Sequence, residues 1–98
     1  MGTQVARREA TIVNTYGLHM RPSTRFVKLA GTFQSEVWVE FHGARANGKS
    51  LLEMTCLAAE RGATIEIEAH GPDAERAVGA LAELVAAGFH MDDETAEN

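Results

Sequence analysis

"SEVWVEFHGARANGKS", residues 35–50, supports two readings that lead to different folds. Its second half, Gly43 to Ser50, matches the phosphate-loop pattern G-x-x-x-x-G-K-[ST] in full, between a strand-like run and a helix-like run. A nucleotide-binding loop of that kind follows a central parallel strand, covered on both faces and apolar at nearly every position. The first half does not comply. Val37, Val39 and Phe41 alternate with Glu36, Trp38, Glu40 and His42, which is the period of a strand with one face buried and one wet. His42-Gly43 then reads as a tight hairpin turn, with the glycine supplying a positive φ, and Ala44 to Asn47 as a short return strand. Ser50-Leu51-Leu52-Glu53 is a capping box that opens a helix, the Ser50 hydroxyl and the Glu53 carboxylate satisfying free amides reciprocally. The stretch is a β-hairpin leading into a helix, and its sheet is antiparallel.

The flanking segments extend this pattern. Upstream, EATIVNT at 9–15 has the β-branched content of a short strand. Phe26, Leu29, Ala30 and Phe33 then recur at helical spacing with Arg25 and Lys28 between them. Pro22 is tolerated only in a first turn, so this helix starts within a residue or so of Met20, with His19 at its cap and Gly31 as its stop. Downstream, the helix opened by Ser50 is expected to run to about Glu60 and end at Gly62. ATIEIEAH at 63–70 alternates again, with Ile65 and Ile67 opposite Glu66 and Glu68. Pro72-Asp73 opens a last helix with the stripe Val78, Leu81, Ala82 and Val85, closed by Gly88. The order βαββαβα, with two strands polar on alternate positions, predicts an α+β open-faced β-sandwich: a four-stranded antiparallel sheet with three helices on one face. There is no room for several parallel crossovers of roughly 30 residues each, as a phosphate-loop fold requires. No second apolar strand ends in a magnesium-binding Asp.

Bulk properties narrow the function. The 98 residues suit a single domain, with a core over about 9–89 and an acidic, disordered tail at 90–98. No run approaches the roughly 20 apolar residues that span a bilayer, and the N-terminus lacks a secretory apolar segment. A cytoplasmic monomer without membrane insertion is expected. The net charge of −5 argues against nucleic-acid binding, but the tail DDETAEN accounts for −4 of it. Arg21, Arg25 and Lys28 form a local basic patch suited to a phosphate or an acidic protein surface. Cys56 stands alone among apolar neighbours and reads as a buried small hydrophobe. None of the four histidines falls in a metal-ligand pattern, so neither metal nor cofactor is expected.

YGLHMRPST, residues 16–24, carries the chemistry. His19 sits where the first helical amides lack intrahelical partners and where the helix dipole favours an anion over an imidazolium. Arg21 adds a guanidinium fork matched to phosphate oxygens. Such surroundings suit a neutral ring nitrogen that accepts a phosphoryl group and later releases it. His42, His70 and His90 have no comparable surroundings.

Gly17-Leu18-His19-Met20-Arg21-Pro22 resembles the active-site signature of the HPr family, the histidine-containing phosphocarriers of the bacterial phosphoenolpyruvate-dependent phosphotransferase system. Lys49-Ser50-Leu51-Leu52 is similar to that family's regulatory-serine signature. The resemblance implies that His19 is phosphorylated, on Nδ1, by enzyme I charged from phosphoenolpyruvate, and that it passes the group to a IIA-type component. It implies that Arg21 assists, that Met20 and Pro22 shape the helix N-terminus, and that Ser50 is a target of an HPr kinase/phosphorylase. Leu51, Leu52, Arg25, Lys28 and Lys49 would face partners. By the same resemblance the chain is a phosphoryl carrier, not an enzyme with turnover. Met20 and Tyr16 stand where the family often has smaller residues, and Glu53 adds negative charge beside Ser50. Two alternatives are an HPr-like regulatory module without relay and a small nucleotide-binding protein acting through Gly43 to Ser50.

Overall fold

In the computed structural model, which describes residues 4–91, β1 (Val5–Thr11), α1 (Met20–Ala30), β2 (Glu36–Phe41) and β3 (Ala44–Asn47) precede α2 (Leu51–Cys56), β4 (Thr64–His70) and α3 (Ala74–Ala86). A 3-10 turn, Gly88–His90, follows. The strands pair antiparallel throughout in the order β1-β4-β2-β3. The alternation in β2 and β4 puts Val37, Val39, Ile65, Ile67 and Ala69 in the core beneath the helices. Phe26 of α1, Met54 of α2 and Val78, Leu81 and Val85 of α3 close it from above, all fully buried. This is the expected open-faced α+β sandwich. The hairpin after β2 turns through positive φ at both His42 (52°) and Gly43 (81°), the combination that matches the right-handed twist of the flanking strands.

Local boundaries depart from expectation where tertiary contacts outrank pattern. β1 begins at Val5 rather than residue 9 and ends at Thr11 rather than residue 15, because it pairs along all of β4, from Val5 opposite His70 to Thr11 opposite Thr64. Its buried face is carried by Ala6 and Ala10, side chains too small to announce a strand. α2 stops at Cys56, well short of Glu60. Ala58 enters the left-handed region (φ 54°) and the chain turns back, so that Ala59 O accepts from Leu18 N at 2.9 Å and Gly62 N donates to Ile12 O at 2.8 Å. Cys56, at that helix end, is exposed rather than buried. The capping box is half made: Ser50 Oγ accepts from Glu53 N at 3.2 Å, but the Glu53 carboxylate accepts from Asn47 N at 2.8 Å. Ser50 N is already donating to Asn47 O at 3.0 Å. Past α3 the chain continues through Phe89, fully buried, to Met91, which packs on the core. The disordered tail expected from residue 90 therefore loses its first two positions to the fold, and residues 92–98 lie outside the described residues.

Two acids tie elements together. Asp73, at the start of α3, does not cap its own helix with its side chain. Its carboxylate accepts from Ser35 Oγ (2.5 Å), Gln34 N (3.0 Å) and Ser35 N (2.9 Å), which anchors the segment leading into β2. The Ser35 hydroxyl, then the Gln34 amide, hold the Asp73 carboxyl at about 2. On the open face of the sheet Glu68 is only 6% exposed. It accepts from Arg7 Nε at 3.2 Å, from Arg45 Nη1 at 3.4 Å and from His70 Nε2. Burial alone would raise its carboxyl; the His70 and Arg45 hydrogen bonds and the Arg7 charge reverse that and hold it at about 2.

Candidate functional site

The loop from β1 to α1 is held from three sides. Asn14, 6% exposed, donates from Nδ2 to Gly17 O at 2.8 Å, closing a turn. Gly17 adopts φ 69°, and a side chain there would overlap the Ala59 carbonyl. Leu18 is buried, with its amide on that same carbonyl, and its own oxygen accepts from the fully buried Ser23 Oγ at 3.2 Å. The next residue, His19, is thereby fixed in extended conformation (φ −83°, ψ −168°) as the N-cap of α1, as the proline position predicted. Its carbonyl accepts the first helical bond, from Ser23 N at 3.0 Å. Pro22 falls in the first turn, where no amide is needed, and is buried.

His19 is half-buried and its Nε2 has no contact with solvent. The Tyr16 ring meets the imidazole edge to face, with centroids 5.8 Å apart. Tyr16, Leu18 and His19 line a shallow hollow of about 290 Å³ with Thr55 and Ala58, Ala59 and Glu60 from the chain after α2. Two larger hollows, of about 600 and 750 Å³, contain neither His19 nor Arg21. Arg21 is exposed in the first turn of α1. Met20, Tyr16 and Leu52 are among the most exposed large apolar side chains, at 59%, 51% and 74%. Two of the three therefore adjoin the imidazole in sequence or in space.

The remaining anticipated site residues separate. Leu51 is half-buried at the start of α2, and Leu52 beside it projects outward. Ser50 caps α2 at the end opposite Thr55 and does not line the His19 hollow. Lys49 Nζ donates to Phe33 O at 2.8 Å, so the cation of the phosphate-loop pattern holds a backbone carbonyl. Arg25 Nη1 donates to Phe89 O at 3.1 Å, and Lys28 lies exposed in the last turn of α1. Among the described residues no group of three or more histidine, cysteine, aspartate or glutamate side chains could hold a metal ion. Sequence reading did not anticipate Asn14, Ser23 or Ala59. Asn14-x-x-Gly17 is turn chemistry that could have been noticed, and Ser23 bonds back to Leu18 only five residues earlier, whereas Ala59 acts through a long-range contact that no local pattern reveals.

A family model described as "PTS HPr component phosphorylation site" matches residues 6–87. The phosphocarrier protein HPr of Neisseria meningitidis is 42% identical over 79 residues, which are 81% of this chain and 89% of the relative. The phosphocarrier protein NPr of Proteus mirabilis is 38% identical over 86 residues, 87% of this chain and 96% of that protein. The solved structure of HPr-C-His from Thermoanaerobacter tengcongensis superposes with a TM-score of 0.85 at 33% identity, covering 90% of this chain and 99% of that one. With its antiparallel sheet, helix placement and sequence all agreeing, the chain belongs to the HPr family, the phosphocarrier proteins of the phosphotransferase system.

Proposed function

We propose that His19 accepts a phosphoryl group from enzyme I charged by phosphoenolpyruvate and passes it to a IIA-type component. The observation that carries this reading is the placement of His19 as the N-cap of α1 with Nε2 turned inward. With Nε2 buried, Nδ1 is the nitrogen assigned to attack phosphorus. The new N–P bond forms as the bond from phosphorus to the donor breaks, and the reverse exchange delivers the group onward. The phosphoryl dianion then lies at the amides of the first turn and within reach of Arg21. Each charge-assisted hydrogen bond contributes about 1.5–3 kcal/mol, against about 0.3–1 kcal/mol from the helix dipole. Arg21 and the local amides therefore dominate, and an exposed guanidinium keeps the stabilisation moderate enough for release. Exposed Met20, Tyr16 and Leu52 offer partners an apolar surface around the reacting nitrogen.

Ser50 enters this reading first as the cap of α2. A phosphoryl group placed there by a kinase would meet the helix amides favourably but would sit near the Glu53 carboxylate, which already occupies that turn. No helix among the described residues is long and apolar enough to cross a membrane.

Incubation with enzyme I and phosphoenolpyruvate should label the protein with an acid-labile phosphate, and His19→Ala should abolish the label. Equal labelling of the His19→Ala protein would refute the assignment. Failure of the labelled protein to pass phosphate to any IIA domain would favour the regulatory module over the relay.

A further inference from the structure

Strand β1 lies at one edge of the sheet, and among the described residues it pairs with β4 alone. Gly71 N donates to Gln4 O just before the strand, and Ile12 N donates to Ala63 O just after it. Backbone groups alternate in direction along a strand, so the even-numbered residues between those two also face β4. The amides and carbonyls of Val5, Arg7, Glu9 and Thr11 therefore point outward from the edge, placed to pair with a further strand.

The strand reads VARREAT, which is nearly symmetric in chemical type about Arg8. Two copies laid antiparallel on a twofold axis at Arg8 set Arg7 opposite Glu9 of the second copy, Ala6 opposite its Ala10 and Val5 opposite its Thr11. Residues with outward backbone meet one another in this register, so Arg7 with Glu9 and Val5 with Thr11 are hydrogen-bonded pairs. Opposite charges directly across antiparallel strands attract, and like charges repel. Moving the axis to Arg7 or to Glu9 would set that residue against its own copy. Charge thus selects one register from those the backbone allows.

The single chain also leaves an acid for the second copy to meet. Glu9 stands opposite Glu66, and Glu66 opposite Glu40. Arg45 reaches this row at Glu40, and Arg7 of a second copy would reach it at Glu9. Arg7 bonds Glu68 through Nε, and its exposed guanidinium has further N–H groups for a second carboxylate. The axis does oppose Arg8 to its own copy, but two opposite-charge pairs outweigh that one, and Glu83 lines the same hollow as Arg8.

We propose that the open edge of β1 docks against the same edge of a second copy of this chain, joining two four-stranded sheets through reciprocal Arg7–Glu9 pairs. No residue of β1 lines the His19 hollow, so the docking stands apart from the relay reading. Two such strands make a small interface of the weak class, so half-association is expected at about 0.1–1 mM. Sedimentation through that range should show monomer passing to dimer. Glu9→Arg should weaken the dimer by about tenfold or more, and adding Arg7→Glu to it should restore association. The register is read separately, by cross-linking in a Cys56→Ser background under mild oxidation. Arg8→Cys should form a disulfide-linked dimer readily, because directly opposed residues that are not hydrogen-bonded lie about 4.5 Å apart at Cα. Arg7→Cys, offset from its own copy, should not. A chain that stays monomeric throughout overturns the proposal and leaves the edge to a strand of another protein. Association that Glu9→Arg leaves unchanged, or cross-linking no faster at Arg8→Cys than at Arg7→Cys, overturns it as well, since the copies would then meet through another face.

Discussion

A single methyl group at residue 17 would reach the His19 site. Gly17 holds φ 69°, and its missing side chain leaves room for the Ala59 carbonyl, the acceptor that positions Leu18. Gly43 has a similar φ of 81° but opens onto empty space. The pair separates backbone strain from collision. Either glycine changed to alanine should lower stability by roughly 1–2 kcal/mol through the left-handed backbone, measured by urea unfolding. Gly17→Ala should lose more, and it alone should shift the His19 ring signals and slow phosphorylation of the folded protein. Equal behaviour of the two variants would mean that the Ala59 contact does not set the imidazole. His19 itself was legible in sequence, because Pro22 limits where a helix can start. The support from Ala59 was not, since its partner, the Leu18 amide, is far away in the chain; Ser23 lies only five residues from the Leu18 carbonyl, but a serine inside a helical run gives no sign that its hydroxyl turns back onto the preceding loop.

At the scale of elements, the open face of the sheet mixes matched and mismatched rows. Arg7 and Arg45 flank Glu68, and the Arg45 guanidinium lies 4.8 Å from the centre of the Trp38 ring. One row along, Glu9, Glu66 and Glu40 stand opposite each other on β1, β4 and β2. Arg45 relieves only the Glu40 end, at 2.7 Å. Like charges directly opposite are destabilising, so Glu66→Thr should stabilise the protein by about 0.2–1 kcal/mol. The gain should shrink as salt screens the row. Denaturation at low and high ionic strength reads both effects, and a loss of stability at low salt would contradict the repulsion. Elements with strong alternation, β2 and β4, were readable from the chain alone. β1 was misplaced because alanines carry its buried face, and α2 was drawn too long because its end is set by hydrogen bonds to the loop before His19.

For the molecule as a whole, acid should act through Glu68 and Asp73, which bind strand to strand and helix to strand. Both carboxyls are held at about 2 in the folded state, below their ordinary values near 4.5 and 3.8. A group depressed on folding stabilises the protein above its unfolded pKa, and that contribution is lost as pH falls through the folded pKa. Stability should therefore decline as pH drops from about 4.5 towards 2. Glu68→Gln and Asp73→Asn should each flatten the decline, read as unfolding midpoint against pH. An unchanged slope in both variants would mean that neither carboxylate governs acid unfolding. The sequence by itself determined the element order, the antiparallel sheet and the histidine at a helix start. Each follows from periodicity, turn chemistry or proline geometry within a few residues. Only the tertiary structure decided where β1 and α2 end, how Glu68 and Asp73 are held, and which cations serve backbone carbonyls. Those outcomes depend on groups far apart in the chain meeting at hydrogen-bond distance, which no local pattern encodes.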